Sequence, residues 1–118
     1  VIKLGIGCDH AAYEEKELLV KHLKDLSYEV TDYGCFSKES VNYPEFGHKV
    51  ANAVSNGNID KGIIICGTGI GISIAANKVS GIRAALCTTD FHAKMSRKHN
   101  DSNIISILNC LEELTIPN

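Results

Sequence analysis

The stretch Gly62-Ile63-Ile64-Ile65-Cys66-Gly67-Thr68-Gly69-Ile70-Gly71 carries the strongest structural signal in this 118-residue chain. Its first half is an apolar run without polar alternation, which is typical of a central strand covered on both faces. Its second half places three glycines in five positions, which indicates a tight turn that leads into a short helix over 72–77. The stretch therefore predicts a strand–turn–helix unit of an α/β protein.

The same order of strand and helix recurs on either side of this unit. In the first helix, apolar residues at helical spacing predict the buried face; they are Ala12, Leu19, Leu23 and Leu26. Apolar runs, capping residues and turn signals define the remaining elements. The further predicted strands cover 1–8, 28–33, 83–87 and 103–107, and the further predicted helices cover 11–26, 44–54 and 90–99. This alternation predicts a parallel sheet with helices on both faces.

Length, charge and cysteine usage narrow the class of protein. The length fits one domain, 1–118. A net charge of −2 argues against a broad nucleic-acid surface, which needs a basic excess. The five cysteines include no C-x-x-C pair, so zinc ribbons are not expected and the thiols are interpreted as reduced. We find no signal peptide and no apolar run long enough to span a membrane, which favours a cytoplasmic protein without a membrane partner.

The turn over Gly67, Thr68, Gly69, Ile70 and Gly71 is a candidate anion-binding site. Glycines let an anion approach backbone N–H groups, and a following helix N-terminus adds positive potential. The alternative is a tight turn that only requires positive φ angles. Cys66, at the end of the strand, is either a reactive thiolate next to this turn or a small apolar residue of the core.

Two histidine-containing pairs are further candidates. Asp9-His10 follows the first strand, where Asp9 could orient a ligand or cap the next helix. His99-Asn100 closes a basic helix before the fifth strand, where His99 could move a proton or act as a cationic cap. Because ligands bind at the carboxyl ends of parallel strands, we expect both pairs beside the glycine turn.

Several motifs together resemble one family. The motifs are Gly7-Cys8-Asp9-His10-Ala11, Ser40-Val41-Asn42-Tyr43-Pro44, Cys66-Gly67-Thr68-Gly69-Ile70-Gly71, Ala75-Ala76-Asn77-Lys78 and His99-Asn100-Asp101. In this colinear order, over about residues 2 to 107, the chain resembles type B ribose-5-phosphate isomerase. The resemblance implies a Rossmann-like three-layer α/β/α sandwich with a five-stranded parallel sheet. It also implies a homodimer or a dimer of dimers, with the site at the subunit interface.

The resemblance implies an aldose–ketose isomerase of the pentose phosphate pathway that uses no cofactor and no metal. Ribose 5-phosphate and ribulose 5-phosphate would interconvert through a cis-enediolate. Cys66 matches the base, and Thr68 and His99 match residues that assist ring opening. The turn from Gly67 to Gly71, including Gly69 and Ile70, matches the loop that holds the enediolate oxygens. The sugar-binding positions matched are Asp9, Tyr43 and Asn100, and His10 matches a residue on the phosphate side.

One departure concerns the phosphate end of the substrate. The family continues after the fifth strand with a Gly-x-Arg-x-Ile-Gly stretch and an arginine-bearing arm, whereas Ile107 here leads into Leu108-Asn109-Cys110, with no later arginine. We expect the C-terminal arm to be incomplete after 107, with residues missing near Ile107 and after Asn118. Two alternatives remain open. One is a hexose-phosphate isomerase acting on galactose 6-phosphate or allose 6-phosphate, and the other is a non-catalytic sugar-phosphate binding module.

Overall fold

The computed structural model describes residues 1–36 and 43–108, with residues 43 and 44 described by their backbone alone. Residues 37–42, which include the first three residues of the motif Ser40-Val41-Asn42-Tyr43-Pro44, and the segment after Leu108 lie outside the described residues. The strands are β1 (Lys3–Cys8), β2 (Glu29–Asp32), β3 (Lys61–Cys66), β4 (Ala84–Leu86) and β5 (Ile104–Leu108). A single 3-10 turn (His10–Ala12) precedes the helices α1 (Tyr13–Asp25), α2 (Tyr43–Ser55), α3 (Ile70–Asn77) and α4 (Asp90–Asn100).

The five strands form one parallel sheet in the order β2-β1-β3-β5-β4. The apolar strand β3 occupies the centre, as its lack of polar alternation predicts. Ile65 pairs with Cys8 of β1, and Cys66 pairs with Leu108 of β5. The carboxyl ends of these three neighbouring strands therefore meet at one edge of the sheet, which we call the carboxyl edge.

The core has two halves, one on each face of the sheet. On one face Ile64 packs with Val50 of α2 and Ile72 of α3, all three fully buried. On the other face Ile65 packs with Ile6 and Val20, the latter from α1. Each buried aliphatic side chain of this kind contributes about 1.5–3 kcal/mol. The three-layer α/β/α architecture implied by the family resemblance is confirmed, with α1 opposite α2 and α3.

The apolar face predicted for α1 is only partly correct. Ala12 is fully buried, but Leu26 is 57% exposed, and Lys16 is fully buried in its place. The Lys16 ammonium donates to Asp32 Oδ2 at 2.7 Å and to Glu17 Oε1 at 3.1 Å. Burial by itself would lower the pKa of Lys16, but its hydrogen bonds to the two carboxylates outweigh it and raise that pKa. Helical spacing could not show this ion pair, because Asp32 lies on a strand that only tertiary packing brings alongside α1.

The helix after the glycine turn begins earlier than predicted. Ile70 and Gly71 belong to the first turn of α3, because Gly69 is its N-cap residue with φ 76° and ψ −13°. The other described elements begin and end within about two residues of the predicted positions, apart from the 3-10 turn that separates α1 from β1, and helix ends vary by this much between definitions. Within the described ranges, none of the helices combines the length and apolarity that a membrane crossing needs.

Candidate active site

Cys66 is the last residue of the central strand, where the chain leaves the sheet. Its side chain is buried, with 6% of its surface exposed, on the face covered by α2 and α3. The backbone N–H of Gly69 donates a hydrogen bond to Cys66 Sγ at 3.1 Å. The turn thus folds back over the thiol and directs the positive end of a peptide dipole at its sulfur.

Gly69 is the residue that makes this fold-back possible. Its φ of 76° lies in the left-handed region, which side chains other than glycine adopt at a cost. A Cβ at this position would lie 2.6 Å from a methyl carbon of Leu86 and 3.1 Å from the backbone of Ile107. The position therefore requires glycine both for its backbone conformation and for its close approach to β4 and β5.

The Gly69 carbonyl accepts a hydrogen bond from Ser106, a residue that was not predicted to belong to the site. Ser106 of β5 is fully buried, and its hydroxyl donates to the Gly69 oxygen at 2.5 Å. The Ser73 N–H donates to the same oxygen at 3.3 Å. The available signal was the serine itself, a single polar residue inside the apolar run Ile104-Ile105-Ser106-Ile107-Leu108. A buried hydroxyl in a central strand needs a partner, and here the partner is the glycine turn.

Thr68 holds the other end of the same peptide group. Its Oγ1 accepts a hydrogen bond from the Ile70 N–H at 3.1 Å. A hydroxyl that accepts from the backbone still has its own hydrogen to donate, and Thr68 is exposed to the space above the turn. Gly67 leaves that space open, since a Cβ there would meet no atom within 4 Å.

Asp9 reaches the same edge from the neighbouring strand β1. Its N–H donates to the Ile65 oxygen at 3.1 Å, which ties it to β3 one residue before Cys66. Its Oδ1 accepts from the Ala12 N–H at 3.2 Å, so Asp9 caps the 3-10 turn and not, as predicted, the first helix, whose N-cap residue is Ala12. His10 follows within that turn at the same edge of the sheet.

These residues enclose a cavity of about 240 Å³. Its lining combines one thiol, one carboxylate, one hydroxyl and two glycines: Asp9, Cys66, Gly67, Thr68 and Gly71. The Gly71 N–H lies in the first turn of α3, where N–H groups have no acceptor within the helix. The cavity can therefore offer donors to an oxyanion beside a thiol. Its volume falls just below the roughly 300–1,000 Å³ of complete small-molecule sites.

His99 and Asn100 do not lie at this edge, contrary to the expectation from sequence. Helix α4 runs antiparallel to the strands, and β5 begins directly after it, with Ile104 paired to Gly62 near the start of β3. Because a strand rises about 3.3 Å per residue, the ends of the six-residue β3 lie about 16 Å apart. The expectation was wrong because a helix between parallel strands returns the chain to their amino ends. We call this opposite side of the sheet the amino edge.

Both residues are exposed at the amino edge, and a polar network holds the chain there. Arg83 Nε donates to the Asn100 oxygen at 2.6 Å. The Asn103 side chain joins the loop before β4 to the start of β5, since its Oδ1 accepts from the Arg83 N–H at 2.8 Å and its Nδ2 donates to the Gly81 oxygen at 2.9 Å. The end of α4 is thus fixed in place, one strand length from Cys66.

Tyr43 is the one predicted site residue whose side chain lies outside the described residues. Its backbone begins α2. Of the other positions, the structure brings Cys66, Thr68, Asp9 and the turn glycines together around one cavity and places His10 at the same edge. Ile70, also predicted, takes part through its backbone N–H.

Comparison with known proteins agrees with this fold. A family model described as Ribose/Galactose Isomerase matches residues 4–113. The chain is 48% identical to ribose-5-phosphate isomerase B of Escherichia coli K12, over 88% of this chain and 70% of that protein. Its structure resembles that of Clostridium thermocellum ribose-5-phosphate isomerase B, with a TM-score of 0.89 and 57% identity over 91% of this chain and 72% of that one.

A second similar structure was solved with a sugar phosphate. It is ribose-5-phosphate isomerase B from Mycoplasma genitalium with bound ribulose-5-phosphate, at a TM-score of 0.86 and 35% identity, covering 92% of this chain and 72% of that one. The matches extend over most of the chain, and the family model covers every residue that lines the cavity. The chain therefore belongs to the ribose/galactose isomerase family of sugar-phosphate isomerases.

Proposed function

We propose that this protein interconverts ribose 5-phosphate and ribulose 5-phosphate by moving a proton between C1 and C2 through a cis-enediolate. The observation that carries the proposal is the Gly69 N–H at 3.1 Å from Cys66 Sγ, at the wall of a cavity lined by further donors. Such a site pairs a base with groups that stabilise an oxyanion, the two requirements of enediolate chemistry. Similar proteins named ribose-5-phosphate isomerase B support the choice of a pentose phosphate.

Cys66 acts in this mechanism as the base. As a thiolate it removes the proton from one of the two carbons and returns it to the other, so the enzyme is unchanged after each turnover. The Gly69 N–H dipole suits a sulfur that carries negative charge between these steps. Burial of Cys66 keeps bulk water from exchanging the proton while the sulfur holds it.

The glycine turn and Thr68 stabilise the enediolate oxygens. The Gly71 N–H at the start of α3 offers a donor, and the positive end of the helix adds to its field. The Thr68 hydroxyl, which already accepts from Ile70, offers its hydrogen to the ring or carbonyl oxygen. Asp9, which also lines the cavity, orients the sugar hydroxyls.

His99 and Asn100 complete the site from a second copy of the chain. In one protomer they lie about 16 Å from the carboxyl edge and cannot reach the same sugar. A homodimer, alone or within a dimer of dimers, would place one protomer's amino edge against its partner's carboxyl edge. His99 then donates the proton that opens the sugar ring, Asn100 and Tyr43 hold its hydroxyls, and His10 faces the phosphate.

The wider context of the reaction follows from the substrate. We place it in the pentose phosphate pathway of the cytoplasm. The chemistry assigned to Cys66, Thr68 and His99 needs neither a cofactor nor a metal, because every step is a proton transfer. Galactose 6-phosphate and allose 6-phosphate would undergo the same chemistry in a longer pocket, so they are the substrates to compare.

The test is an isomerase assay on ribose 5-phosphate, allose 6-phosphate and galactose 6-phosphate, with the unaltered chain and with Cys66→Ala. We expect ribose 5-phosphate to react fastest and Cys66→Ala to lower kcat by at least about a thousandfold. Cys87→Ala is the matched control, since Cys87 is also buried but does not line the cavity. Faster turnover of a hexose phosphate would reassign the substrate. Binding of the sugar phosphates without turnover would instead identify a non-catalytic binding module.

A further inference from the structure

Two cysteines, one of them directly before the cavity residue Asp9, lie in contact and have no role in the proposed isomerase mechanism. Cys8 Sγ and Cys35 Sγ are 3.7 Å apart. Cys8 is fully buried and Cys35 is 1% exposed. The two residues are 27 positions apart in sequence, so only the fold brings them together. Neither residue lies in a C-x-x-C pattern, and sequence spacing does not reveal the pair.

Backbone hydrogen bonds hold the two cysteines side by side. The Cys8 N–H donates to the Gly34 oxygen at 2.7 Å, and the Cys35 N–H donates to the Cys8 oxygen at 3.2 Å. Gly34 is itself fixed, because its N–H donates to Asp32 Oδ1 at 2.9 Å. The two sulfurs are 3.7 Å apart, whereas the sulfurs of a disulfide are about 2.05 Å apart. Closing the pair therefore draws the sulfurs together, and the backbone at Cys8 and Cys35 moves with them.

The surroundings of Cys8 disfavour its charged form. Burial raises the pKa of the Cys8 thiol well above its ordinary value, the neighbouring Cys35 raises it further, and the Lys16 ammonium lowers it in part. A pair of this kind reacts slowly, because an oxidant reaches it only when the overlying chain opens locally.

The other described cysteines have different environments. Cys66 Sγ accepts from the Gly69 N–H, and Cys87 Sγ donates to the Ala85 oxygen at 3.4 Å. Among the described residues, the contact between Cys8 and Cys35 is the one sulfur–sulfur contact that the structure shows. Of the described cysteines, Cys8 and Cys35 are therefore the two that can form a disulfide with each other.

We propose that Cys8 and Cys35 form a reversible disulfide, a modification site that lowers the activity of the adjacent cavity. With a hydroperoxide as oxidant, the thiolate sulfur of one cysteine attacks the peroxide, the O–O bond breaks, and a sulfenic acid forms. The second sulfur then displaces the sulfenic oxygen as water. The two thiols lose two hydrogens and two electrons in total, and hydrogen peroxide is reduced to two molecules of water. A dithiol reductant reverses the step.

The effect on the cavity follows from the position of Cys8. It directly precedes Asp9, whose N–H is bonded to the Ile65 oxygen and whose side chain lines the cavity. A disulfide is about 2.05 Å long, so closing a 3.7 Å contact in a close-packed interior draws the end of β1 toward Cys35. Displacements of about 1 Å in a catalytic arrangement cost up to about a hundredfold in rate. This consequence rests on the proposed isomerase function, whereas the disulfide itself does not.

The covalent step is tested with diamide, an azo compound that converts paired thiols into a disulfide and is itself reduced to a hydrazine. The full chain is treated without other thiols, unfolded, alkylated and digested. We expect a peptide in which Cys8 is linked to Cys35, lighter by two hydrogens, while Cys66 and Cys87 are alkylated. Complete alkylation of Cys8 and Cys35 after treatment would overturn the proposal, whatever the isomerase activity of the chain.

The functional step is tested by comparing the unaltered chain with Cys35→Ala, a variant outside the cavity. Diamide should lower the turnover of ribose 5-phosphate by at least about tenfold in the unaltered chain, and dithiothreitol should restore it. Cys35→Ala should keep its activity through the same treatment. Equal losses in both proteins would assign the inactivation to another cysteine. An intact activity despite a linked Cys8–Cys35 peptide would refute the effect on the cavity, and no turnover before treatment would count against the isomerase function instead.

Discussion

The two edges of the sheet differ in what one copy of the chain can assemble. At the carboxyl edge, Cys66, Thr68 and Asp9 surround one cavity, because the strands β1, β3 and β5 end in register. At the amino edge, His99 and Asn100 are exposed, and a network around Arg83 holds the backbone of the latter. Each edge is ordered by its own hydrogen bonds, and the two are about 16 Å apart. In the proposed homodimer, the two edges of one protomer are therefore half-sites that belong to different active sites.

One protomer can therefore fold completely without bringing all the candidate residues to one place. The carboxyl edge carries the Cys66 thiol and backbone donors, but the cavity there holds only about 240 Å³ and its lining includes no basic side chain among the described residues. At the amino edge, Arg83 and Asn100 line a separate cavity of about 350 Å³, and His99 is not among its lining residues. In the proposed homodimer, symmetric pairing would bring unlike edges together at two places.

The largest effect is expected when Cys66 and His99 are altered on different chains that are then combined in one dimer. Cys66→Ala and His99→Ala should each be nearly inactive, but co-expressed subunits should recover about a quarter of the unaltered activity, since half the dimers are mixed and each mixed dimer has one intact site. Turnover of ribose 5-phosphate by the mixture is the measurement. As a control, Cys66→Ala mixed with Thr68→Ala should recover nothing, because both changes are at the carboxyl edge. A mixture of Cys66→Ala and His99→Ala without recovery would place both residues in the site of one chain.

The next effect concerns the conformation of the glycine turn. Gly69→Ala should lower kcat by about a hundredfold, because strain at φ 76° and a clash with Leu86 displace the N–H that faces Cys66. It should also lower the free energy of unfolding by more than Gly57→Ala does, measured by urea denaturation. Gly57 has a φ of 80° but would meet no atom within 4 Å, so it isolates the backbone strain of about 1–2 kcal/mol. Equal costs at the two positions would contradict the close packing over the turn.

A smaller effect is expected where β5 supports the turn. Ser106→Ala removes the hydroxyl that holds the Gly69 oxygen, a hydrogen bond worth about 1–1.5 kcal/mol. If the bond orients the turn for catalysis, kcat should fall by about tenfold while KM changes little. Steady-state kinetics separates the two constants. Ser55→Ala, which removes a similar bond to the Ser80 oxygen on the surface, should leave both unchanged. A change in KM alone would indicate that Ser106 serves binding instead.

The smallest effect is expected at the amino edge. Arg83→Met removes the donor to the Asn100 oxygen and should lower kcat/KM by about threefold, because the end of α4 loses one of its anchors. The loss should be greater on the cyclic sugar than on the open-chain form if His99 opens the ring. Lys94→Met serves as the control, since Lys94 pairs with Asp90 on the exposed side of α4 and has no contact with Asn100 among the described hydrogen bonds. Equal losses of kcat/KM in Arg83→Met and Lys94→Met would indicate that the lost positive charge, and not the lost anchor of α4, causes the effect.

The order and the location of the main elements were accessible from sequence for a local reason. The run 62–66 is apolar at every position, so it could only be a strand buried on both faces, and the glycines after it mark the turn. The placement of Cys66 beside this turn follows from the same ten residues. The burial of Lys16 could not be predicted from sequence, because it depends on the ion pair with Asp32. The hydrogen bond of Ser106 could not be predicted either, because its partner lies 37 residues away.

Sequence alone thus determined the α/β architecture, the strand–turn–helix unit and the residues of the glycine turn, because periodicity and backbone conformation are local properties of the chain. Tertiary structure alone decided which of the candidate residues meet. It joined Asp9 to Cys66 through the register of β1 and β3 and brought Cys8 to Cys35. It also placed His99 at the amino edge, since the direction of a helix between parallel strands fixes the edge that its last residue reaches.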